Sequence, residues 1–137
     1  MFTLFVLLRD DNHAVNNDLL ARGLKQHFPW YSDFALSTET LIFPPVSLLV
    51  LERKGWRVRF EIREVDEMSL DVAVLQKILQ KKTALPADFL AYNKEIAVGF
   101  DDDPQRRFTD DVIGVAECLR DIFPDAVLFD QYNGEVW

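Results

Sequence analysis

Two runs of strand-forming residues separated only by Lys54-Gly55 constrain the fold of this chain more than any other feature. Residues 46–53 read VSLLVLER and residues 56–65 read WRVRFEIREV. A two-residue connection joins only antiparallel strands, because parallel neighbours need a crossover of a dozen residues or more. Gly55 suits the positive φ that such a turn requires. The register follows: Arg53 opposite Trp56, Leu51 opposite Val58, Leu49 opposite Phe60 and Ser47 opposite Ile62 on an apolar, core-facing side. On the other side Glu52 meets Arg57, Val50 meets Arg59, Leu48 meets Glu61 and Val46 meets Arg63. A parallel doubly wound sheet is the alternative, and the tight turn argues against it.

The remaining elements fall around this hairpin. Phe2–Leu8 is a continuous apolar run, the pattern of a strand buried on both faces. Asn16 or Asn17 can cap a helix to about residue 28 with Leu20, Leu24 and Phe28 inward, stopped by Pro29. Residues 30–45 have no clean period and read as a long connection with at most a short strand. Ser69 can cap a helix over 70–82, with Leu70, Val74, Ile78, Leu75 and Leu79 as its core stripe. A short helix from Pro86, a strand over 95–100, a helix over 109–123 capped by Thr109, and a closing hairpin (126–130 and 135–137) around Asn133-Gly134 complete the chain. The class is α+β. The order β-α-β-β-α-β predicts a split βαβ, ferredoxin-like antiparallel sheet with helices on one face, extended by a C-terminal α-β-β unit.

At 137 residues, with no linker-like stretch, the chain reads as one domain over 1–137. A single cysteine, Cys118, excludes an internal disulfide. The apolar N-terminus lacks a basic flank and a small-residue cleavage site, and is too short for a membrane span of about 20 residues. The expectation is a cytoplasmic protein with no membrane association.

Charge is segregated along the chain. Residues 1–94 hold 12 acidic and 12 basic residues, whereas residues 95–137 hold 11 acidic and 3 basic, which accounts for the net −8. Such an acidic region repels nucleic acid and attracts basic surfaces. On the third helix Asp110, Gly114, Glu117 and Asp121 share one stripe, opposite Val112, Val115, Ala116, Leu119, Ile122 and Phe123. With Asp101, Asp102 and Asp103 just upstream, they form the leading candidate surface for a basic protein partner; a solvated helix face is the bland alternative. The three consecutive aspartates could instead form a carboxylate or metal site. Successive strand residues point in alternate directions, though, and do not converge on one cation, so no metal is expected. Asp10 and Asp11 lie at the far end of the sheet in the antiparallel order.

Arg57, Arg59 and Arg63 form a basic stripe on the second sheet face. It is either an anion or partner site, or an exposed face whose stems lie over Val46, Leu48 and Val50 and whose heads pair with Glu52, Glu61 or Glu64. RNA recognition by a sheet of this kind needs aromatics on that face, and Trp56 and Phe60 point the other way. Cys118 reads as an inert core thiol. His13 and His27 have no zinc-ligand spacing. The five glycines form no phosphate-binding loop, so no cofactor is expected. Phe28, Trp30, Tyr31, Phe34 and Trp137 read mainly as plugs for the open end of a small core.

The acidic surface and the C-terminal stretch from Phe123-Pro124-Asp125-Ala126-Val127-Leu128-Phe129-Asp130 to Gly134-Glu135 resemble small bacterial proteins of immunity type. That resemblance implies a cytoplasmic, non-enzymatic protein that neutralises one basic toxin by acidic complementarity. Two other readings stand beside it. One is a self-associating module, a homo-oligomer that pairs the arginine stripe of one copy with the acidic region of another. The other is a small enzyme with a carboxylate site at Asp101–Asp103.

Overall fold

Phe2–Leu8 forms β1, and its alternate residues enter two different cores: Leu4, Val6 and Leu8 one, Leu7 the other. A strand apolar on both faces needs cover on both, and the computed structural model supplies it. The structure describes residues 2–9, 15–28, 33–43 and 45–137. In chain order it contains β1, α1 (Asn17–His27), β2 (Ala35–Leu41), β3 (Val46–Arg53), β4 (Trp56–Glu64), α2 (Val72–Leu79), β5 (Lys94–Phe100), α3 (Thr109–Ile122), β6 (Val127–Asp130) and β7 (Glu135–Val136). Single 3₁₀ turns, Val65–Glu67 and Phe89–Ala91, flank α2.

The strands form one antiparallel sheet in the order β2-β3-β4-β5-β1-β6-β7. The fold is therefore α+β, but the strand order differs from the ferredoxin-like one, which sets the first strand between the two strands numbered here β4 and β5. In this sheet β5 pairs directly with β4, from Val58↔Phe100 to Glu64↔Lys94, and β1 lies outside it. Residues 65–93, which join β4 to β5, are thus the long loop of a hairpin rather than a crossover. They fold over the second face, where Leu75, Leu79, Phe89 and Tyr92 pack with Leu7, Val127 and Phe129. α1 and α3 cover the first face through Leu20, Leu24, Val115, Cys118 and Leu119. Helices on both faces replace the expected single layer.

Local signals decide most boundaries. Lys54 (φ 52°) and Gly55 (φ 83°) make the β3–β4 turn, and the five pairs from Leu49↔Phe60 to Arg53↔Trp56 keep the register read from the sequence. Asn16 caps α1 by accepting from the Leu19 N–H at 2.9 Å. Two expected caps are wrong. Asp71, not Ser69, caps α2, accepting from Ala73 and Val74 N–H. α3 has no capping side chain at its N-cap, Phe108; instead Asp103 accepts from the Arg107 and Phe108 N–H groups at 2.9 and 2.8 Å. The core stripe of α2 is narrower than expected: Leu75 and Leu79 are buried, whereas Val74 and Ile78 are half exposed. β2 is a full seven-residue strand in a segment read as a long connection with a short strand. Its run ALSTETL is too polar and too exposed to show a buried stripe, and its pairing with β3 makes it a strand.

The aromatic plugs take their expected places where described. Phe28 and Phe34 rings meet at 4.4 Å, and Trp137 stacks on Phe2 at 5.5 Å. Asp10, Asp11, His13, Pro29, Trp30 and Tyr31 lie outside the described residues.

Candidate functional site

The charge segregation seen along the chain is largely undone in space. Arginines of the neutral first part reach across to carboxylates of the acidic last part. Arg53 Nη1 donates to both oxygens of Asp111 at 3.0 Å, tying the β3–β4 turn to the first helical turn of α3. Arg59 Nη1 donates to Asp101 Oδ1 at 2.9 Å, while Asp101 Oδ2 accepts from the Arg57 N–H at 3.1 Å. Arg63 Nη1 donates to Glu95 Oε2 at 3.2 Å, and Arg63 Nη2 to Glu61 at 2.8 Å. Arg57 also pairs with Glu52 at 3.4 Å and Arg59 with Glu39 at 3.7 Å.

The basic stripe is thus a lattice of internal ion pairs. Arg57 and Arg59 stand opposite Glu52 and Val50 on β3. Leu48 and Val50 on β3 are only 7% and 3% exposed. Burial acts to lower the pKa of Arg63, but Glu61 and then Glu95 outweigh it and the net shift is upward. Trp56 points to the opposite face, stacked on Phe108 at 4.7 Å, with its Nε1 donating to the Asp101 carbonyl. Trp56 thus does not share the face of the arginines; the aromatic strand residues of that face, Phe5 and Phe129, are buried.

The three consecutive aspartates do not act together. Asp101 faces β4 and the arginines, Asp103 turns back to hold the approach to α3, and Asp102 is exposed. The turn between Asp103 and α3 closes through the Arg106 N–H on the Asp103 carbonyl, with Arg106 at φ 54°. Among the described residues, no group of three or more His, Cys, Asp or Glu side chains is placed to hold a metal ion.

On α3 the expected stripe is present, and its setting is specific. Asp110, Glu117 and Asp121 are exposed, and none has an ion-pair partner among the described residues. Gly114 lies against α1: a Cβ there would sit 3.4 Å from the Phe28 ring. The stripe therefore borders the seam between α1 and α3. This seam opens into a groove of about 440 Å³ with Arg22 and His27 on one wall, Asp121 and Ile122 on the other, and Gly23 and Cys118 among its lining residues. The helices approach closely because position 23 has no side chain; a Cβ there would lie 2.2 Å from Ile122 Cδ1. Cys118 is no nucleophile at neutral pH: burial, reinforced by the Asp121 charge, pushes its thiol up to about 12.

The chain matches no protein-family model, no curated protein and no solved structure. Among the described residues, no helix is long and apolar enough to cross a membrane.

Three buried acids, Asp111, Glu95 and Asp130, escaped the sequence reading; Asp130 accepts from the Asn133 N–H at 3.1 Å and from its side-chain amide at 2.7 Å. Asp111 falls in register with Val115, Leu119 and Ile122, and a charge at the head of an apolar stripe signals burial with a partner. Glu95 is fully buried and accepts from Ser69 N–H at 3.1 and 3.0 Å, from Leu70 N–H at 3.2 Å and from Arg63. Its partners lie 25 to 32 residues away, which local patterning does not reach.

Proposed function

We propose that this protein is a non-enzymatic binding domain whose outward α3 face, Asp110, Glu117 and Asp121, docks a basic protein. One contrast carries the reading. Of the acidic residues in 95–137, Glu95, Asp101, Asp103, Asp111 and Asp130 are engaged inside the fold. Asp110, Glu117 and Asp121 repeat along one exposed helix face and form no ion pair among the described residues, with Arg22 and His27 across the groove from Asp121. Unpaired like charge destabilises a folded state and, held on a rigid helix, steers and orients a cationic partner. The adjoining α1–α3 groove offers a recess for a partner side chain. Neutralisation of a basic toxin by an immunity-type protein is the biological form of this reading.

Other candidate uses have less support. Self-association through Arg57, Arg59 and Arg63 meets arginines already paired internally. A carboxylate active site at Asp101–Asp103 meets side chains that diverge. The reading is tested by capturing partners with tagged protein at low and moderate salt, alongside the variant D110K/E117K/D121K. A basic protein retained by the wild type, weakened by salt and lost with the variant supports it. The same proteins recovered with both retire the α3 face as a docking site.

A further inference from the structure

β2 ends the sheet, and no strand pairs with its outer edge among the described residues. An edge of this kind is a template for another strand, and monomeric proteins blunt it with charged side chains, prolines, bulges or short length. Within its seven residues β2 has one of these, the single charge of Glu39, and no lysine, proline or bulge. It runs seven residues, Ala35-Leu36-Ser37-Thr38-Glu39-Thr40-Leu41, and pairs one-to-one with β3 from Ala35↔Glu52 to Leu41↔Val46. Its one charge, Glu39, is drawn to Arg59 across the sheet. Directly beyond it, Ile42 and Phe43 are 75% and 93% exposed, the latter the most exposed large apolar side chain described.

We infer that this edge pairs with the same edge of a second copy, giving a two-fold dimer with one continuous sheet. The argument is self-complementarity. A two-fold axis normal to the sheet pairs β2 antiparallel with itself and keeps the α1/α3 layers on one side. With Thr38 opposite Thr38, a favourable cross-strand pair, Leu36 faces Thr40 and Ala35 faces Leu41. Ile42 of each copy then reaches the Phe34 end of the other, where Phe34 and Leu36 are only partly buried against the core. The Ile42 tip of each copy is covered in this register, while Phe43 falls opposite Asp33. Glu39 faces Ser37 and avoids its own copy. Moving the axis to residue 39 sets two glutamates face to face; moving it to residue 37 carries Ile42 beyond Phe34.

The dimer is independent of the proposed α3 contact, and salt separates the two. Copies of net charge −8 repel, so the dimer tightens with added salt, whereas a basic partner on α3 is released. The test is sedimentation equilibrium of the wild type, Thr38→Lys and Thr38→Glu, with circular dichroism to confirm that these exposed substitutions leave the fold intact. Like charges directly opposite raise the dissociation constant of each variant about fivefold, the upper range for one cross-strand pair. An equimolar mixture of the two variants restores wild-type affinity or better, because the central pair then joins opposite charges. A wild type that stays monomeric at all concentrations, a dimer indifferent to Thr38→Lys, or a mixture that fails to recover overturns the proposal.

Discussion

Replacing Glu95 with Gln probes how the second face of the sheet is held. The side chain is fully buried, and its two oxygens accept from the Ser69 and Leu70 N–H groups and from Arg63 Nη1. Glutamine keeps the shape and one acceptor, but its amide nitrogen can only donate, and every neighbour here is a donor. With the oxygen turned toward Ser69 and Leu70, the NH₂ group confronts Arg63 and one charge-assisted hydrogen bond is lost, worth about 1.5–3 kcal/mol. Arg63 keeps Glu61 at 2.8 Å, so the charge is not stranded, and the loss stays below the roughly 3–5 kcal/mol of a buried pair broken outright. The expected destabilisation is about 2–3 kcal/mol, or roughly 6–10 °C in Tm for a chain of this size. Urea unfolding measures it, with an unchanged m-value as the sign that the denatured state is unaffected. Glu61→Gln is the control: it removes the other partner of Arg63, but Glu61 is 25% exposed, and it should cost under about 1 kcal/mol. Glu95→Gln within about 0.5 kcal/mol of wild type, the scatter of neutral surface changes, would refute the reasoning; so would equal losses from both variants.

Two further outcomes follow from the α1–α3 seam. The folded Cys118 pKa of about 12 lies above its ordinary value of 9.0, so the folded state holds this proton more tightly. Stability from this group is complete below pH 9 and declines as pH rises toward 12, a loss that Cys118→Ala removes from the alkaline limb of a pH–stability curve; identical alkaline slopes for the two proteins would contradict it. Gly23→Ala should destabilise, since overpacking costs of about 1–3 kcal/mol outweigh a helix-propensity gain of about 1 kcal/mol. In an Ile122→Ala background the clash is gone and the same change should stabilise, so a sign that does not reverse in thermal melts would rule out the Ile122 contact as the cause.

Signals carried by neighbouring residues were legible in the sequence. Lys54-Gly55 sets an antiparallel hairpin and its register, because a turn that tight leaves one geometry. The apolar run at 2–8 reports burial on both faces, since successive strand side chains point opposite ways. Asn16 announces a helix start, and the α3 period separates an acidic from an apolar side. Three things needed the tertiary structure. Strand order depends on pairings such as Phe2↔Phe100, between segments whose apolar patterns fit several neighbours equally well. The face that α2 covers depends on where the 65–93 loop finds apolar residues left bare by α1 and α3, and no helical period encodes that choice. Charge behaves in the same way: Asp101 and Asp111 read as members of an acidic region until Arg59 and Arg53, more than forty residues earlier, are brought within 3.0 Å of them. Coulomb interaction depends on distance in space, and the chain's own order carries almost none of that information.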